Sequence, residues 1–557
     1  IWHAESQMHA DGWSTEIAIP FKSISFAPES DTWGINFGRG VVRKQEYTIW
    51  SSYQREWWPA YGGEVQGIAK IEQGLGLDVV PSVNLTQHRD LVLNESNNGF
   101  EPSLDARYRI TPSLSATLTL NTDFSTAEID EQQVALDRFS LFFPEKRDFF
   151  LQDAGIFEFG NIDTNGRPFF SRRIGLSDDG EPVGIDGGVK LTGRIGDLNV
   201  GALAIRQEAN GDISAKDLFV ARGSYNVLDE SAVGFIMTHG DPTSNESNSV
   251  AGVDFLYRNS EGPFGEILTG RFWAQQSRSS DLNGDEQAFG VNLEVPSDKL
   301  LAYVDVQQIG EDFRPALGFV NRAGIRRYGM GTRYRTRPET GFWRAINHKI
   351  DYVLVTDMDN SLLTEWLEIE PIGLYSNQDD YLFVNWSRNK EVVREAFELF
   401  DRLHVPAGEY EFDRYRAELG TGWQRPLRLV LAVEDGGFFG GDRLLKHVEV
   451  QWRQSAHFSI AAGFTENDVD LPSGSFTSHL ASLRSDIAFN SRWSWSNVLQ
   501  YDNTADLVGI NSRIRYIPEA GKEVVLVLNH GADVDSANRL SSTQSDINLK
   551  VSYTFRY

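Results

Sequence analysis

The chain of 557 residues has no cysteine, only 4 methionines and no run of 18 consecutive apolar residues. The first absence removes disulfides, thiol nucleophiles and thiolate metal sites, and it fits an envelope protein that avoids adventitious oxidation. The last removes a transmembrane helix, and a mean hydropathy of −0.36 agrees. Neither observation touches strands that cross a bilayer with half their residues polar. Basic residues are also scarce: 52 Lys and Arg stand against 79 Asp and Glu, for a net charge of −27. That balance excludes nucleic acid as a partner. Cationic ligands are easier to accommodate, as are divalent ions bridging acidic loops to outer-membrane lipid and lipopolysaccharide.

Catalytic patterns are missing too. There is no His-Glu-x-x-His and no Gly-x-Ser-x-Gly, and the ten histidines are scattered. His447 beside Glu449, with Ser455 and His457 at the next turn, comes nearest to a hydrolase constellation. A histidine among polar wall residues is more often structural, so the chain reads as a non-enzyme. Asp281, Asn283 and Asp285 have the opening rhythm of a calcium loop, but glycine is missing at the sixth position and an acid at the twelfth. A full EF-hand is excluded. A loosely held surface Ca2+ at these residues, or at Asp163 and Asn165, is the one cofactor left open.

What is present is an alternation of period two. Ile547, Leu549, Val551, Tyr553, Phe555 and Tyr557 share one face of the last segment, and Asn548, Lys550, Ser552, Thr554 and Arg556 share the other. A strand with lipid on one side and water on the other needs this pattern, and an aromatic last residue suits the closing strand of an outer-membrane barrel. Tyr553, Phe555 and Tyr557 are the expected signal to the barrel-assembly machinery. Similar rows recur: Phe219, Ala221, Gly223 and Tyr225; Val253, Phe255 and Tyr257; Val448, Val450 and Trp452; Val508, Ile510, Ser512, Ile514 and Tyr516.

From residue 76 to 557 the pattern predicts an all-β fold, a large antiparallel transmembrane β-barrel of about 24 strands with a range of 22–26. Short turns such as 111–113, 196–197 and 490–492 follow even-numbered strands. Longer connectors follow odd ones: 88–100, 124–184, 208–215, 240–248, 277–285, 310–323, 389–410, 466–473 and 532–543. Sorting by parity favours a barrel over a soluble sandwich. The connector 389–410 is open between a strand extension and a short helix.

Residues 1–75 read differently. Trp13, Thr15, Ile17, Ile19 and Phe21 alternate, Trp33-Gly34-Ile35-Asn36-Phe37 begins another strand, and Tyr47 to Trp50 a third. These predict part of a periplasmic β-sandwich, with upstream sequence and a secretion signal expected before Ile1. Tyr53, Trp57, Trp58 and Tyr61 form an aromatic cluster whose flat rings suit sugar stacking, or else the barrel rim.

Two blocks carry a resemblance. Trp13-Ser14-Thr15-Glu16-Ile17-Ala18-Ile19-Pro20-Phe21, with Trp33 to Phe37 and Arg39, resembles the latter half of a carbohydrate-binding family 9-like domain. Phe139-Ser140-Leu141-Phe142-Phe143-Pro144-Glu145-Lys146-Arg147-Asp148-Phe149-Phe150-Leu151 resembles the LFFPEKRxFFL block of an uncharacterised outer-membrane family that joins such a domain to a carboxy-terminal barrel. The resemblance implies bacterial outer-membrane location and contact with a glycan ligand. It implies no reaction.

The segment 124–184 holds Phe139, Phe142, Phe143, Phe149, Phe150, Phe157 and Phe159 among Glu145, Lys146, Arg147, Asp148 and Asp153. Seven phenylalanines cannot face water, so the segment is expected to fold into the lumen. There it acts as a constriction or as a permanent plug, and the residues leave both open. Three functions follow in order: a channel or carrier for a glycan or other polymer; a non-conducting anchor or assembly platform for a surface protein partner; a barrel-wall hydrolase.

Overall fold

The computed structural model describes every residue except 1, 22, 23, 25, 27–29, 42–45, 52–61, 70, 72–74, 123–129, 131, 135, 179, 263–265, 283, 401 and 536–538. Alternation from residue 77 onward produces one closed antiparallel sheet of 24 strands. They begin with β1 (Leu77–Asp90), β2 (Glu95–Thr111), β3 (Leu114–Thr122), β4 (Ile185–Ile195), β5 (Leu198–Gln207), β6 (Lys216–Val227), β7 (Ser231–His239) and β8 (Asn248–Asn259). Next come β9 (Leu268–Ser279), β10 (Gln287–Pro296), β11 (Leu300–Ile309), β12 (Ile325–Thr336), β13 (Trp343–Thr356), β14 (Leu362–Ser376), β15 (Tyr381–Val393) and β16 (Gly408–Gly420). The last are β17 (Leu427–Phe438), β18 (Gly441–Arg453), β19 (Phe458–Leu471), β20 (Gly474–Ala488), β21 (Trp493–Asp502), β22 (Leu507–Tyr516), β23 (Lys522–Val534) and β24 (Leu540–Tyr553), the last continued by Phe555–Arg556.

Each strand pairs with its neighbour in sequence. β24 closes on β1 from Gln544↔Asp90 to Ser552↔Ser82, and Phe555 pairs with Val79. Closure leaves no unpaired edge, the condition for backbone surrounded by hydrocarbon. The outer face supplies the apolar band. Tyr225, Val233, Phe255 and Phe272 stand side by side across β6 to β9, and Phe235 and Val253 stand in the adjoining row. Val253 is 59% exposed in the isolated chain and Met237 56%, which water would penalise and acyl chains accept. At the rim that holds the chain ends, Trp493 stacks on Tyr516 at 4.2 Å and Tyr553 meets Phe555 at 4.5 Å. These rings belong to an interfacial girdle.

Connectors after odd strands lie at the rim opposite the chain ends, here the far rim. The three longest, 123–184, 310–324 and 394–407, are all there. Three others expected to be long are tight. Pairing runs to Asp90↔Glu95, Leu471↔Gly474 and Val534↔Leu540, so 88–100, 466–473 and 532–543 are mostly strand. Apolar alternation stops where the bilayer stops, but the backbone ladder continues into water, and the sequence pattern marks only the first of these limits. The 389–410 connector is a strand extension capped by a small hairpin, Phe397–Leu399 with Leu403–Val405, and not a helix.

Ahead of the barrel, His3–Met8 pairs with Trp13–Ala18, Thr32–Ile35 with Gly63–Gln66, and Gly38–Val41 with Glu46–Ile49. Trp33 packs against Phe21 and Phe26 at 5.5 and 5.6 Å, whereas Trp13, Ile17 and Ile19 are exposed. The apolar face expected to pack in a sandwich therefore has no second sheet against it among the described residues. Arg109 Nη1 of β2 donates to the Ile24 carbonyl at 3.3 Å, tying this region to the wall.

Arg introduced on the lipid face at mid-membrane depth costs about 2–4 kcal/mol. Val253→Arg is expected to lower stability by that amount in urea titrations of protein folded into vesicles, and Ser482→Arg on the inner face to leave it near wild type. Equal losses would contradict the assignment of inside and outside.

Candidate lumen passage

The insertion between β3 and β4 folds against the inner wall. Phe150, Phe157 and Ile174 bury with Ile185, Leu203, Ile205, Leu218 and Val220, and Phe159 buries with Ile236, Trp273, Ile309, Val355 and Leu363. One segment that touches strands from β4 round to β14 can only lie inside the cylinder. The inward rows it meets carry apolar residues, Ile185, Leu203, Ile205, Leu218, Val220 and Ile236, among polar ones such as Lys190, Thr192 and Arg222, so parts of β4 to β7 are apolar on both faces. Leu203-Ala204-Ile205 and Leu218-Phe219-Val220-Ala221 carry this signal in the sequence as unbroken apolar runs where single-faced strands alternate.

Polar groups fasten the contact. Arg222 and Asp254 form a two-bonded ion pair at 2.6 and 2.8 Å, almost fully buried. Arg222 Nε also donates to the Glu158 carbonyl at 2.9 Å, and Asp254 accepts the Gly160 N–H at 3.0 Å. One wall pair therefore satisfies two backbone groups of the insertion. Gly160 has φ +60°, and a Cβ there would lie 2.7 Å from Trp273, so the close approach requires glycine. Lys190 of β4, fully buried, donates to the carbonyls of Phe149 and Gln152 at the end of the single helical turn Asp148–Leu151. A cation at that end complements the exposed carbonyls. The insertion also pairs with the 310–324 connector, where Arg167 and Phe319 exchange N–H and C=O at 3.0 Å and the Phe170 N–H reaches the Leu317 carbonyl at 2.7 Å.

Most of the residues singled out in the Phe-rich block meet here. Phe139 lies under Arg138 and Arg322 at 4.7 and 5.1 Å. Phe142 stacks on Phe170 at 4.8 Å, and Phe143 faces Arg172 at 5.7 Å. Phe149 meets Phe150 edge-on at 5.1 Å. Lys146 reaches Asp130 at 3.5 Å, and Asp148 is exposed. Arg147 grips Glu145 at 2.7 and 2.8 Å and also donates to the carbonyls of Ile174 and Ser171 at 2.5 and 2.8 Å. Burial pushes the Glu145 carboxyl up, but the hydrogen bonds and charge of Arg147 outweigh it and hold the group below the usual carboxylate range. In the loop after β11, burial lowers the Arg322 guanidinium to about 10.

Other candidates are not brought together. Tyr53, Trp57, Trp58 and Tyr61 lie outside the described residues, as does Asn283. Asp281 is held by Arg314 at 2.5 Å, and Asn165 is consumed by the backbone of Asn321 and Arg322. Among the described residues, no group of three His, Asp or Glu side chains could hold a metal. His447 bonds Thr465 at 2.9 Å, Glu449 is held by Arg428 at 2.7 Å, and His457 bonds the Ala488 carbonyl at 2.7 Å. Each of the three is thus held by a different group of the wall.

The opposite wall carries little of the insertion's apolar surface: among the described residues, Leu136 packs with a cluster that reaches Val469 and Leu471 at the far end of β19. A cavity of about 460 Å³ lies between Gln132 and Lys146 of the insertion and the inner faces of β18 to β22. Most of its lining side chains are polar, His447, Thr465, Ser482, Arg484, Gln500 and Asn511 among them, with Leu480 and Val498 between them. Along β21 it extends from Ser494, beside the terminal rim, to Gln500, two residues from the strand's far end. At about 3.3 Å per residue this covers most of the wall. Beside it, Glu434 is shared by Arg443, Arg414 and Arg416, the last two at 3.6 and 3.5 Å. Charges on the bare wall are thus largely paired across strands.

A family model described as a domain of unknown function, DUF5916, matches residues 75–186. That stretch is β1 to β3 with the insertion. No curated protein matches. Among solved structures, the ferric yersiniabactin uptake receptor FyuA of Yersinia pestis is similar at 10% identity over 86% of this chain and 80% of that one, with a TM-score of 0.38. A mutant of the ferric enterobactin receptor PfeA of Pseudomonas aeruginosa gives 9% identity, 89% and 83% coverage and 0.39. The OccK8 (OprE) protein of the same organism gives 7%, 86% and 97%, and 0.30. Each superposes only loosely on this chain.

Removing Arg222 leaves Asp254 buried and unpaired, which costs about 3–5 kcal/mol. Arg222→Ala is therefore expected to expose the Glu158–Gly160 amides to hydrogen exchange while the strands of β18 to β22 stay protected. The Glu145 carboxyl, lowered in the folded state, contributes stability that is complete above the ordinary glutamate range and is lost as pH falls through its lowered value. Protection factors around Arg147 and Ile174, taken against the intrinsic exchange rate at each pH, should fall on acidification, and Glu145→Gln should remove that dependence. A pH-independent profile in the parent protein would refute the assignment.

Proposed function

We propose that the protein is a channel or carrier of the bacterial outer membrane that passes a glycan or another polar polymer along the β18 to β22 wall. The insertion fixes the width of the path. The observation that carries this reading is the cavity between the insertion and the bare wall, which runs along nearly the height of β21 and is lined mostly by polar side chains. Hydroxyl-rich cargo suits a lining of Ser, Thr, Asn and Gln side chains, each able to donate or accept. The far rim faces the outside and the terminal rim, with residues 1–75, the periplasm, as both chain ends of such barrels do. Lipopolysaccharide surrounds the far half, and Tyr553, Phe555 and Tyr557, adjoining the β24–β1 seam, serve the assembly machinery.

A second reading, an anchor for a surface protein, is favoured by the many fastenings of the insertion and by the hairpin 397–405, whose Leu399, Leu403 and Val405 pack with Phe438, Phe439 and Val469 into a rigid knob at the far rim. Planar-bilayer recordings separate the two. The wild type is expected to conduct, and Ser482→Trp with Ser496→Trp, which fill the passage without touching the insertion's apolar contacts, to cut conductance at least twofold. A silent wild type would exclude the channel and leave the anchor.

A further inference from the structure

A second cavity, of about 730 Å³, opens at the far rim above the insertion. The insertion contributes Phe143, Phe170 and Arg173, and the connectors after β7, β9 and β11 complete the wall with residues that include Glu311, Asp312 and Phe319. This volume lies within the range of small-molecule sites. Its floor is aromatic: Phe170 stacks on Phe142 at 4.8 Å and meets Phe319 edge-on at 5.8 Å.

The charges around that floor sort into two sets. Arg172 is held by Asp130 and Arg314 by Asp281. Asp241 is occupied by its own turn, accepting the N–H groups of Thr243 and Ser244 at 3.0 and 3.1 Å and the Ser244 hydroxyl at 2.8 Å. Arg173 differs, because its guanidinium has no ion-pair partner among the described residues, while its Nε, like that of Arg314, is buried without a hydrogen-bond partner. Glu311 and Asp312 line the same cavity, with Asp178 at the exposed edge. A ligand of one charge would satisfy one set and be repelled by the other. Neutral hydroxyls satisfy both, donating to carboxylates and accepting from a guanidinium. The flat phenyl faces below offer apolar area to the C–H face of a sugar ring.

We propose that this vestibule is a binding site for a neutral oligosaccharide, stacked on Phe143 and Phe319, its hydroxyls divided between Arg173 and the carboxylates of Glu311 and Asp312. Binding stands on this geometry alone; delivery of the sugar into the passage rests on the channel reading above. The test applies the full chain in detergent to a microarray of neutral oligosaccharides, with anionic oligogalacturonate and a free hexapeptide as comparison probes, followed by calorimetry on the strongest ligand. A neutral sugar is expected to bind, and Arg173→Ala and Phe143→Ala each to weaken it at least tenfold with the circular dichroism of the barrel unchanged. Phe143→Trp, which keeps a flat ring, should retain binding. Absence of any neutral ligand, preference for the anionic or peptide probe, or unchanged affinity in both Ala variants would overturn the proposal. Conductance measured on the same preparations keeps the two ideas apart: a conducting protein that binds no sugar sinks only the vestibule, and a sugar-binding protein that does not conduct sinks only the channel.

Discussion

Hydrocarbon offers no partner to a backbone N–H or C=O, so a sheet inside it must close on itself. In this chain closure falls to β24 and β1, and it requires 24 strands to complete the circle. Such a cylinder is too wide for wall side chains to fill. The remaining space must be left to water or supplied from elsewhere in the chain. The insertion between β3 and β4 supplies part of it, and the wall has adapted by turning parts of the inner rows of β4 to β7 apolar. Ile205, Leu218 and Ile236 would be out of place beside water, and each is almost fully buried.

The filling is lopsided, and the functional reading follows from that. On one side Phe150, Phe157 and Phe159 sit in apolar clusters, pinned by Arg222, Asp254 and Lys190. On the other, the wall from β18 to β22 retains the Ser, Thr, Asn and Arg pattern of a solvated surface. In the proposed channel, an insertion held so firmly along one flank narrows the lumen without sealing it. Its upper surface, completed by the connectors after β7, β9 and β11, then becomes the floor of a vestibule.

Much of the wall was legible in the sequence because side-chain direction in a strand has period two, and a bilayer imposes that period on every crossing. The row from Ile547 to Tyr557 could be assigned its face by inspection. The phenylalanines of 139–159 also betrayed a segment that had to be hidden. Where the strands ended was not legible, since pairing persists above the membrane without an apolar signature, as at Asp468 and Asp470. Nor were the fastenings. Arg222 and Asp254 lie 32 residues apart on strands two removed, and only the close approach of Gly160 to Trp273 shows why the backbone between Glu158 and Gly160 docks there. The vestibule was equally hidden, because its lining is gathered from stretches spread over residues 140 to 320.

The insertion is attached at both ends, to β3 and to β4, at the far rim. A partner pulling from beneath would find no free terminus to draw out. It would have to drag a doubled strand of polypeptide down the bore, against every bond to β4 through β14 at once. Cargo of the proposed channel would therefore have to go around the insertion, which its bonds tie to the masonry on one side.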